Sequence, residues 1–327
     1  MANLNVSYLG LDLHSPIIVS SCSLTSDPAK VKEMQNAGAG AVVIKSLFEE
    51  QIRNEVEFLS SAGQSYPEME DYLHAYVRSN SLGKYSGNIR NIKDSVTIPV
   101  IASINCYSQG EWVEYAKEIE GAGADALELN LYEQVTKPSM TSSEIEDSYL
   151  KIVRDIVSEL KIPVSVKIGR HFTAIPGFVS RLSSAGAKGV VIFNRFFTPD
   201  IDLDNFNLVP AAPLSHDNEY SEVLRWTAIL SSAVRNMDIS ATTGIHSAET
   251  AIKMILAGAS SVQICSVIYR NGISAITGFN DSISAFMEKN NIENLKDVCG
   301  RLSYASIPDP EMYERVQFMK SFGSYGK

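Results

Sequence analysis

One short motif occurs four times along the chain and constrains the fold more than any other feature. It is Ala-Gly-Ala, two variable residues, then a mainly apolar run of three residues. The motif predicts a helix that ends on a glycine, a tight turn and a buried strand. The copies begin at Ala37, Ala122, Ala185 and Ala257. The chain is therefore expected to consist of repeated helix–strand units.

Four more strands are predicted between these copies. They are residues 17–19, 100–102, 164–166 and 238–241. The first three follow a proline, which is tolerated at a strand start because its missing N–H need not join the ladder. All eight segments are apolar enough to be covered on both faces, and helical patterns separate them. An open doubly wound sheet is the competing architecture, but the fourfold repeat of a two-strand unit favours a closed (β/α)8 TIM barrel.

The length of 327 residues suits one α/β barrel with insertions, so we expect a single domain over residues 1–327. Two stretches exceed ordinary loop lengths: residues 46–98 after the second strand and residues 195–220 after the sixth. Long loops at the C-terminal ends of barrel strands usually cover an active site. The tail from about Ser303 predicts an added terminal helix.

Composition excludes several classes of function. The net charge of -10 is spread along the chain, which argues against a nucleic-acid partner. The four cysteines lie far apart without a C-x-x-C pair, so no metal or iron–sulfur site is expected. The N-terminus lacks the features of a signal peptide, and no apolar run approaches the roughly 20 residues that a membrane span needs. These observations predict a cytoplasmic protein.

Polar residues end the predicted strands, where barrel enzymes place their active sites. In chain order they are Ser20, Ser21, Lys45, Ser46, Asn105, Asn130, Lys167, Asn194, Thr243, Gly244, Cys265 and Ser266. Amide side chains both donate and accept, which suits the edge of a flavin or pyrimidine ring. Residues after the seventh and eighth strands stand where barrels commonly bind phosphate. Glu128, in the middle of a strand, is predicted to be structural.

Several of these segments together resemble the dihydroorotate dehydrogenase family. The most specific is Gly-Ala-Asp-Ala-Leu-Glu-Leu-Asn-Leu at residues 123–131. Residues 9–21, 40–46, 163–167, 243–247 and 256–259 also match, in the family's order. The resemblance implies an FMN-dependent oxidoreductase acting on CH–CH groups. Its members oxidise dihydroorotate to orotate in pyrimidine biosynthesis, with hydride transfer to flavin N5 and proton abstraction by a residue at the mouth.

The resemblance also implies roles for individual residues. Lys45 would lie near the flavin ring and Lys167 would face its N1–C2=O edge. The residues implied to bind the cofactor are Ser20, Ser21, Lys45, Ser46, Asn105, Asn130, Lys167, Asn194, Thr243, Gly244, Cys265 and Ser266. The residues implied to bind substrate are Asn80, Asn130 and Asn194, and those implied to be catalytic are Glu133 and Lys45.

Three features depart from the family pattern. Glu133 stands where the family has its cysteine or serine base, and Val135 stands where it has a substrate-binding asparagine. Thr243 and Cys265 occupy positions where glycines are usual. Residues 80–83 resemble the start of the substrate loop but lie further along the insertion. A carboxylate buried beside a flavin would have a raised pKa, so Glu133 could still be the base.

The electron acceptor and the alternatives stay open. A soluble acceptor or a separate electron-transfer subunit is implied, and a homodimer is one assembly that the resemblance allows. A diverged FMN enzyme with another substrate is the first alternative. The others are a catalytically silent flavin-binding barrel and a non-redox lyase, in which Lys45 or Lys167 would form a Schiff base.

Overall fold

An N-terminal hairpin precedes the barrel and closes its lower end. The structure is a computed structural model that describes residues 2–51, 54–55, 67–105, 112–132, 134–196 and 198–314. The hairpin pairs β1 (Val6–Tyr8) with β2 (Leu11–Leu13). Its Tyr8 and Leu13 are buried against Ile18, Val43 and Ile101.

Eight parallel strands form a closed barrel in the predicted order, which confirms the predicted fold. They are β3 (Ile17–Val19), β4 (Ala41–Val43), β6 (Val100–Asn105), β7 (Ala126–Leu131), β8 (Val164–Ile168), β9 (Gly189–Ile192), β12 (Asp238–Thr242) and β13 (Ser261–Ile264). Strand β5 (Leu47–Phe48) pairs with the upper end of β6. Closure comes from β13 pairing with β3, where Ile264 lies opposite Val19.

Helices cover the outside of the barrel. They are α1 (Pro28–Asn36), α2 (Pro67–Ser95), α3 (Trp112–Gly121), α4 (Ser142–Val157), α5 (Ile175–Ser184), α6 (Tyr220–Ala233), α7 (Ala248–Ala257), α8 (Ser266–Asn271), α9 (Ala275–Lys289) and α10 (Glu311–Glu314). Asp27 caps α1 by accepting from Ala29 N at 2.9 Å, with Pro28 in the first turn. No helix in the described part of the chain has the length and apolarity to cross a bilayer.

The Ala-Gly-Ala motif ends a helix on a left-handed glycine in every copy. The φ angles of these glycines are 95° at Gly38, 94° at Gly123, 102° at Gly186 and 115° at Gly258. An L side chain in this conformation would bring Cβ too close to the following carbonyl oxygen. The glycine is therefore required by the turn that leads from each helix into the next strand.

The barrel interior changes from apolar to polar along its axis. Alternate residues of each strand point inward, and the lower ones join the hairpin in an apolar cluster. Above that cluster the buried residues are polar. They are Ser20, Ser103, Glu128, Ser165, Lys167, Ser240 and Gln263. This polar layer lies directly beneath the mouth.

The two long connections contain secondary structure of their own. Residues 195–220 contain an antiparallel hairpin of β10 (Pro199–Asp202) and β11 (Asn207–Pro210). Helix α2 fills much of the first connection, so residues 80–83 lie within a helix rather than a loop. The tail after Ser303 forms turns and the short helix α10, and residues 315–327 lie outside the described part.

Helix α2 also completes the barrel wall. The Tyr85 hydroxyl donates to Ser103 O at 2.8 Å and accepts from Ser103 N at 2.9 Å. Strand β6 pairs with β4 at Val100 and Ile101 and with β5 at Ile104 and Asn105. The Tyr85 hydroxyl thus supplies the hydrogen-bond partner for the β6 backbone between these two segments. Burial raises the pKa of Tyr85, so the hydroxyl stays protonated and able to donate.

Candidate functional site

A cavity opens at the C-terminal ends of the barrel strands. It contains about 660 Å³ of empty space, counting its open mouth. The predicted site residues that line it are Ser20, Ser21, Lys167, Asn194, Thr243, Gly244, Cys265 and Ser266. Barrel closure brings together residues that are up to about 245 positions apart in sequence.

Three predicted asparagines are joined at one side of the mouth. Asn194 Nδ2 donates to Asn130 Oδ1 at 2.7 Å. Asn105 Nδ2 donates to Asn130 O at 3.3 Å. Asn130 is buried, whereas Asn105 and Asn194 are half-buried and remain accessible. The three amides thus form a continuous rim with donors and acceptors for a planar heterocycle.

A serine chain connects the ends of β3, β4 and β6. Ser46 N donates to Ser21 Oγ at 2.9 Å, and the two hydroxyls lie 3.0 Å apart. The Ser46 hydroxyl also lies 2.7 Å from that of Ser103. The predicted residues Ser21 and Ser46 are therefore one hydrogen-bonded unit. Ser103, which also belongs to the predicted end of the third strand, is the third member of this unit.

The amine of Lys167 is held in a network on the floor of the cavity. Lys167 Nζ donates to Ser20 Oγ at 3.2 Å, and Ser20 Oγ donates to Gln263 Oε1 at 2.9 Å. Gln263 Nε2 donates to Glu128 Oε2 at 2.7 Å. Glu128 Oε1 then lies 3.7 Å from Lys167 Nζ, which completes a ring of four side chains.

Glu128 has a role that sequence reasoning missed, because it was considered as a mid-strand residue in isolation. Its Oε1 atom is buried and makes no hydrogen bond within the described residues. Glu128 and Asn130 are two positions apart, so they point to the same side of the strand. Glu128 therefore lies one layer below Asn130 on the inward face of β7. Looking for a polar residue two positions before each strand-end residue would have identified it.

The side of the cavity near β12 and β13 is built from backbone and hydroxyl groups. Thr243 and Gly244 have φ angles of 78° and 75°. Thr243 Oγ1 donates to Phe193 O at 2.8 Å, which holds a β-branched residue in a conformation that favours glycine. A Cβ on Gly244 would lie 2.4 Å from Tyr220 N, so only glycine fits there.

A hydroxyl cluster adjoins this turn. Ser215 N and Ser215 Oγ each lie 3.0 Å from Ser266 Oγ, and both donate to it. The Ser215 hydroxyl also lies 2.9 Å from His246 Nε2. Burial lowers the pKa of His246, so its imidazole is neutral at pH 7. The Ser266 hydroxyl accepts both of these hydrogen bonds, so its own proton is left to donate to an oxyanion in the cavity.

Three predicted residues are not part of this connected set. Lys45 follows β4 and is exposed, with no hydrogen bond or ion pair to another described residue. Asn80 is half-buried in α2. Glu133 lies outside the described residues, so its prediction is untested. The loops around it are joined by the stacked rings of Tyr132 and Phe196, whose centroids are 3.4 Å apart.

These residues fit an anionic, planar cofactor better than a metal. The described residues contain no group of three or more His, Cys, Asp or Glu side chains that could hold a metal ion. The cavity instead has a buried lysine amine on its floor, an amide rim and a turn at Thr243 and Gly244 that lines its wall. A flavin with a phosphate tail would match these three features.

Comparison with known proteins agrees with this geometry. The family model described as dihydroorotate dehydrogenase matches residues 3–287. The chain belongs to the dihydroorotate dehydrogenase family. It is therefore an oxidoreductase of the class that acts on CH–CH groups.

Individual dihydroorotate dehydrogenases align over nearly the whole chain. The protein named dihydroorotate dehydrogenase B (NAD(+)), catalytic subunit, from Thermoplasma acidophilum is 27% identical, covering 92% of this chain and 99% of its own. A protein of the same name from Methanocaldococcus jannaschii is 25% identical, with coverages of 91% and 97%. Dihydroorotate dehydrogenase A (fumarate) from Lactobacillus delbrueckii subsp. bulgaricus is 24% identical, with coverages of 93% and 100%.

Proposed function

We propose that this protein oxidises dihydroorotate, or a closely related dihydropyrimidine, to orotate in pyrimidine biosynthesis with FMN bound in the mouth cavity. The observation that carries the proposal is that Lys167 and Asn194 line one cavity and that Asn194 is hydrogen-bonded to Asn130 at its edge. An amine and an amide rim can recognise both a flavin edge and a pyrimidine ring.

FMN would be held by two separate parts of the cavity. The Lys167 amine would face the N1–C2=O edge, where a positive charge stabilises negative charge on the ring. The phosphate would lie against Thr243, Gly244, Cys265 and Ser266. FMN held there would supply the two-electron acceptor that oxidation of a CH–CH group needs. Ser20 and Ser21 would contact the ring from the side of β3.

The chain's own contribution to the chemistry is substrate orientation and removal of a proton. Asn130 and Asn194 would hold the pyrimidine ring through its amide groups. Glu133 would take the proton from the carbon next to the one that loses hydride. This role is supported by its position two residues after the end of β7, where the family has its base. Lys45, exposed at the end of β4, would assist from a strand that only β6 separates from β7.

A different dihydropyrimidine is the second candidate substrate. Val135 stands where the family has a substrate-binding asparagine, so one polar contact to dihydroorotate is missing. A site that lacks a hydrogen-bonding group discriminates poorly in favour of a substrate that needs it. This observation favours a ring substrate with fewer polar substituents.

The first test is anaerobic mixing of the purified protein with dihydroorotate while the visible flavin absorbance is followed. Bleaching is the expected result. Glu133→Gln should slow it by about a hundredfold or more, because general-base catalysis contributes roughly 10²–10⁴ in rate. Glu288→Gln, on the exposed face of α9, is the matched control and should bleach at the wild-type rate.

Each other outcome has a distinct meaning. A yellow protein that does not bleach would exclude dihydroorotate and leave the second candidate. A colourless protein that cannot be loaded with FMN would overturn the proposal. Equal bleaching rates for Glu133→Gln and the wild type would exclude Glu133 as the base.

Reoxidation of the bleached protein would identify the route of the electrons. The name of one relative gives NAD(+) as the acceptor and calls the protein a catalytic subunit. The name of another gives fumarate and mentions no subunit. We propose that electrons leave either to a soluble acceptor or through a separate electron-transfer subunit. Recovery of colour with fumarate alone would support the soluble acceptor. No recovery with fumarate or NAD(+) would support the separate subunit.

A further inference from the structure

Two cysteines that are distant in sequence meet at the edge of the mouth cavity. Strands β3 and β13 pair in parallel with Ile264 opposite Val19. Cys265 directly follows Ile264, and Cys22 follows Val19 by three residues. Ser20 N donates to Ile264 O at 2.9 Å, and the hydroxyls of Ser23 and Tyr269 lie 2.5 Å apart, so the segments that carry the two cysteines are bound to each other. The Cys22 and Cys265 side chains interact with each other within this contact. Barrel closure therefore creates a pair of neighbouring thiols from residues 22 and 265.

The contact is held by ordered surroundings and is accessible from the cavity. The Cys22 carbonyl accepts from Thr25 Oγ1 at 2.8 Å, and Cys22 N donates to the same oxygen at 3.2 Å. The Tyr269 hydroxyl hydrogen-bonds to the Cys22 side chain. Both cysteines are half-buried, and Cys265 lines the cavity. A small oxidant can therefore reach Cys265 from the cavity, and Cys22 beside it keeps part of its surface exposed.

The two thiols differ in their readiness to react. The interaction with Cys265 is the main cause that lowers the pKa of Cys22. The same contact and burial raise the pKa of Cys265. Cys22 is therefore the thiol of the pair that forms the nucleophilic thiolate more easily, while Cys265 keeps its proton. Desolvation raises the pKa of Cys299 to about 11, which makes that thiol unreactive.

We propose that Cys22 and Cys265 form a reversible dithiol switch, which hydrogen peroxide oxidises to an intramolecular disulfide at the edge of the cavity. The Cys22 thiolate attacks a peroxide oxygen, which gives a sulfenic acid and releases hydroxide. The Cys265 sulfur then attacks the sulfenic sulfur, forming the S–S bond and expelling a second hydroxide. The two hydroxides take up the two thiol protons. Overall, two thiols and one hydrogen peroxide give one disulfide and two waters. A dithiol reductant reverses the change by exchange.

The disulfide would alter the cavity wall. The two sulfurs must move from non-bonded contact to about 2.05 Å. That movement draws Cys265 towards Cys22 and displaces the adjoining Ser266, whose hydroxyl accepts two hydrogen bonds from Ser215. If the cavity binds FMN as proposed above, the phosphate side of the site is displaced and FMN binds more weakly to the oxidised protein.

The test treats the purified full-length protein with one equivalent of hydrogen peroxide, blocks free thiols with N-ethylmaleimide and maps tryptic peptides by mass spectrometry. The expected product links the peptide that ends at Lys30 to the peptide of residues 254–270. Dithiothreitol should remove the link. The link should persist in the Cys106→Ser/Cys299→Ser double variant, which retains only this pair. Cys265→Ser should instead leave a sulfenic acid on Cys22 that dimedone labels.

Two results would overturn the inference. One is full N-ethylmaleimide labelling of both cysteines after peroxide; the other is a disulfide only between chains. FMN affinity is compared before and after peroxide within each protein, and at least a tenfold loss is expected in the wild type but not in Cys22→Ser. If the disulfide forms but FMN affinity does not fall, the disulfide does not regulate FMN binding and that part of the inference is wrong. Because the peptide map needs no flavin, failure of the proposed function would be recognised separately.

Discussion

Lys167 carries its amine into the polar layer of the barrel, where Glu128 Oε1 lies 3.7 Å away. The side chains of Lys167 and Glu128 are only 11% and 1% exposed, so water screens their interaction weakly. Removal of one partner leaves the other as an uncompensated buried charge. The pair therefore holds the amine in place beneath the mouth, and substitution of either residue alone should be destabilising.

A double-mutant cycle on the flavin-free protein measures this pair. Glu128→Gln and Lys167→Met should each lower the free energy of unfolding by about 3 kcal/mol, and the double variant should lose clearly less than the sum. Urea denaturation is the measurement. The exposed pair Lys151–Asp155, with Nζ and Oδ2 2.6 Å apart, is the control. Its coupling should not exceed about 0.5 kcal/mol. Equal coupling in both cycles would contradict the buried interaction.

Gly244 should tolerate no side chain. Gly244→Ala adds a Cβ that would lie 2.4 Å from Tyr220 N, in addition to the cost of a φ of 75°. The free energy of unfolding should fall by about 3 kcal/mol, because the backbone at Tyr220 must move to make room. Gly123→Ala is the matched control, because its φ is 94° but a Cβ there meets nothing within 4 Å. It should cost about 1 kcal/mol. If chemical denaturation gives similar losses of stability for Gly244→Ala and Gly123→Ala, the contact with Tyr220 N is relieved without an energetic cost and the prediction is wrong.

At the scale of elements, the hairpin of β10 and β11 presents an apolar surface outside the barrel. Its large exposed residues are Ile201, Leu203, Phe206 and Leu208. Phe206 is 89% exposed, the highest value among them. Apolar patches of this kind mark contact sites for partners or for a second copy. We propose that the homodimer that the family resemblance allows forms through this hairpin.

Sedimentation or light scattering tests this assembly. The wild type should have about twice the chain mass of 35.8 kDa, and Phe206→Asp should shift it towards the monomer because a charge would be buried in the interface. Met312→Asp, at another exposed position in α10, should leave the mass unchanged. A wild-type monomer, or a dimer that survives Phe206→Asp, would exclude the hairpin as the homodimer contact.

At the scale of the whole molecule, FMN should stabilise the barrel by mass action. At one hundred times its Kd a ligand adds about 2.7 kcal/mol. An unfolding entropy of about 2.1 cal/mol/K per residue over 327 residues converts this to a rise of about 4 °C in Tm. Riboflavin at the same concentration should raise Tm by less, since it lacks the phosphate. Equal shifts in calorimetry would mean that Thr243, Gly244 and Ser266 hold no phosphate.

The order of the strands and the position of the mouth could be predicted because they follow local rules. The four left-handed glycines, at φ values of 94° to 115°, terminate helices wherever Ala-Gly-Ala occurs. Segments that alternate helix and buried strand can close only as parallel sheets. Helix α2 was not predicted, and residues 80–83 were interpreted through a resemblance to a loop. Helix formation over residues 67–95 depends on packing against the barrel, as the Tyr85 contact to β6 shows.

By itself, the sequence determined the barrel, its family and the polar residues that end each strand, because spacing and composition act over a few neighbouring positions. Only the tertiary structure decided which of those residues meet. Gln263 and Glu128 are 135 positions apart, and Cys22 and Cys265 are further apart still. Their contacts exist because β13 closes onto β3. The physical reason is that inward-facing side chains acquire neighbours only when the last strand pairs with the first, which no local pattern encodes.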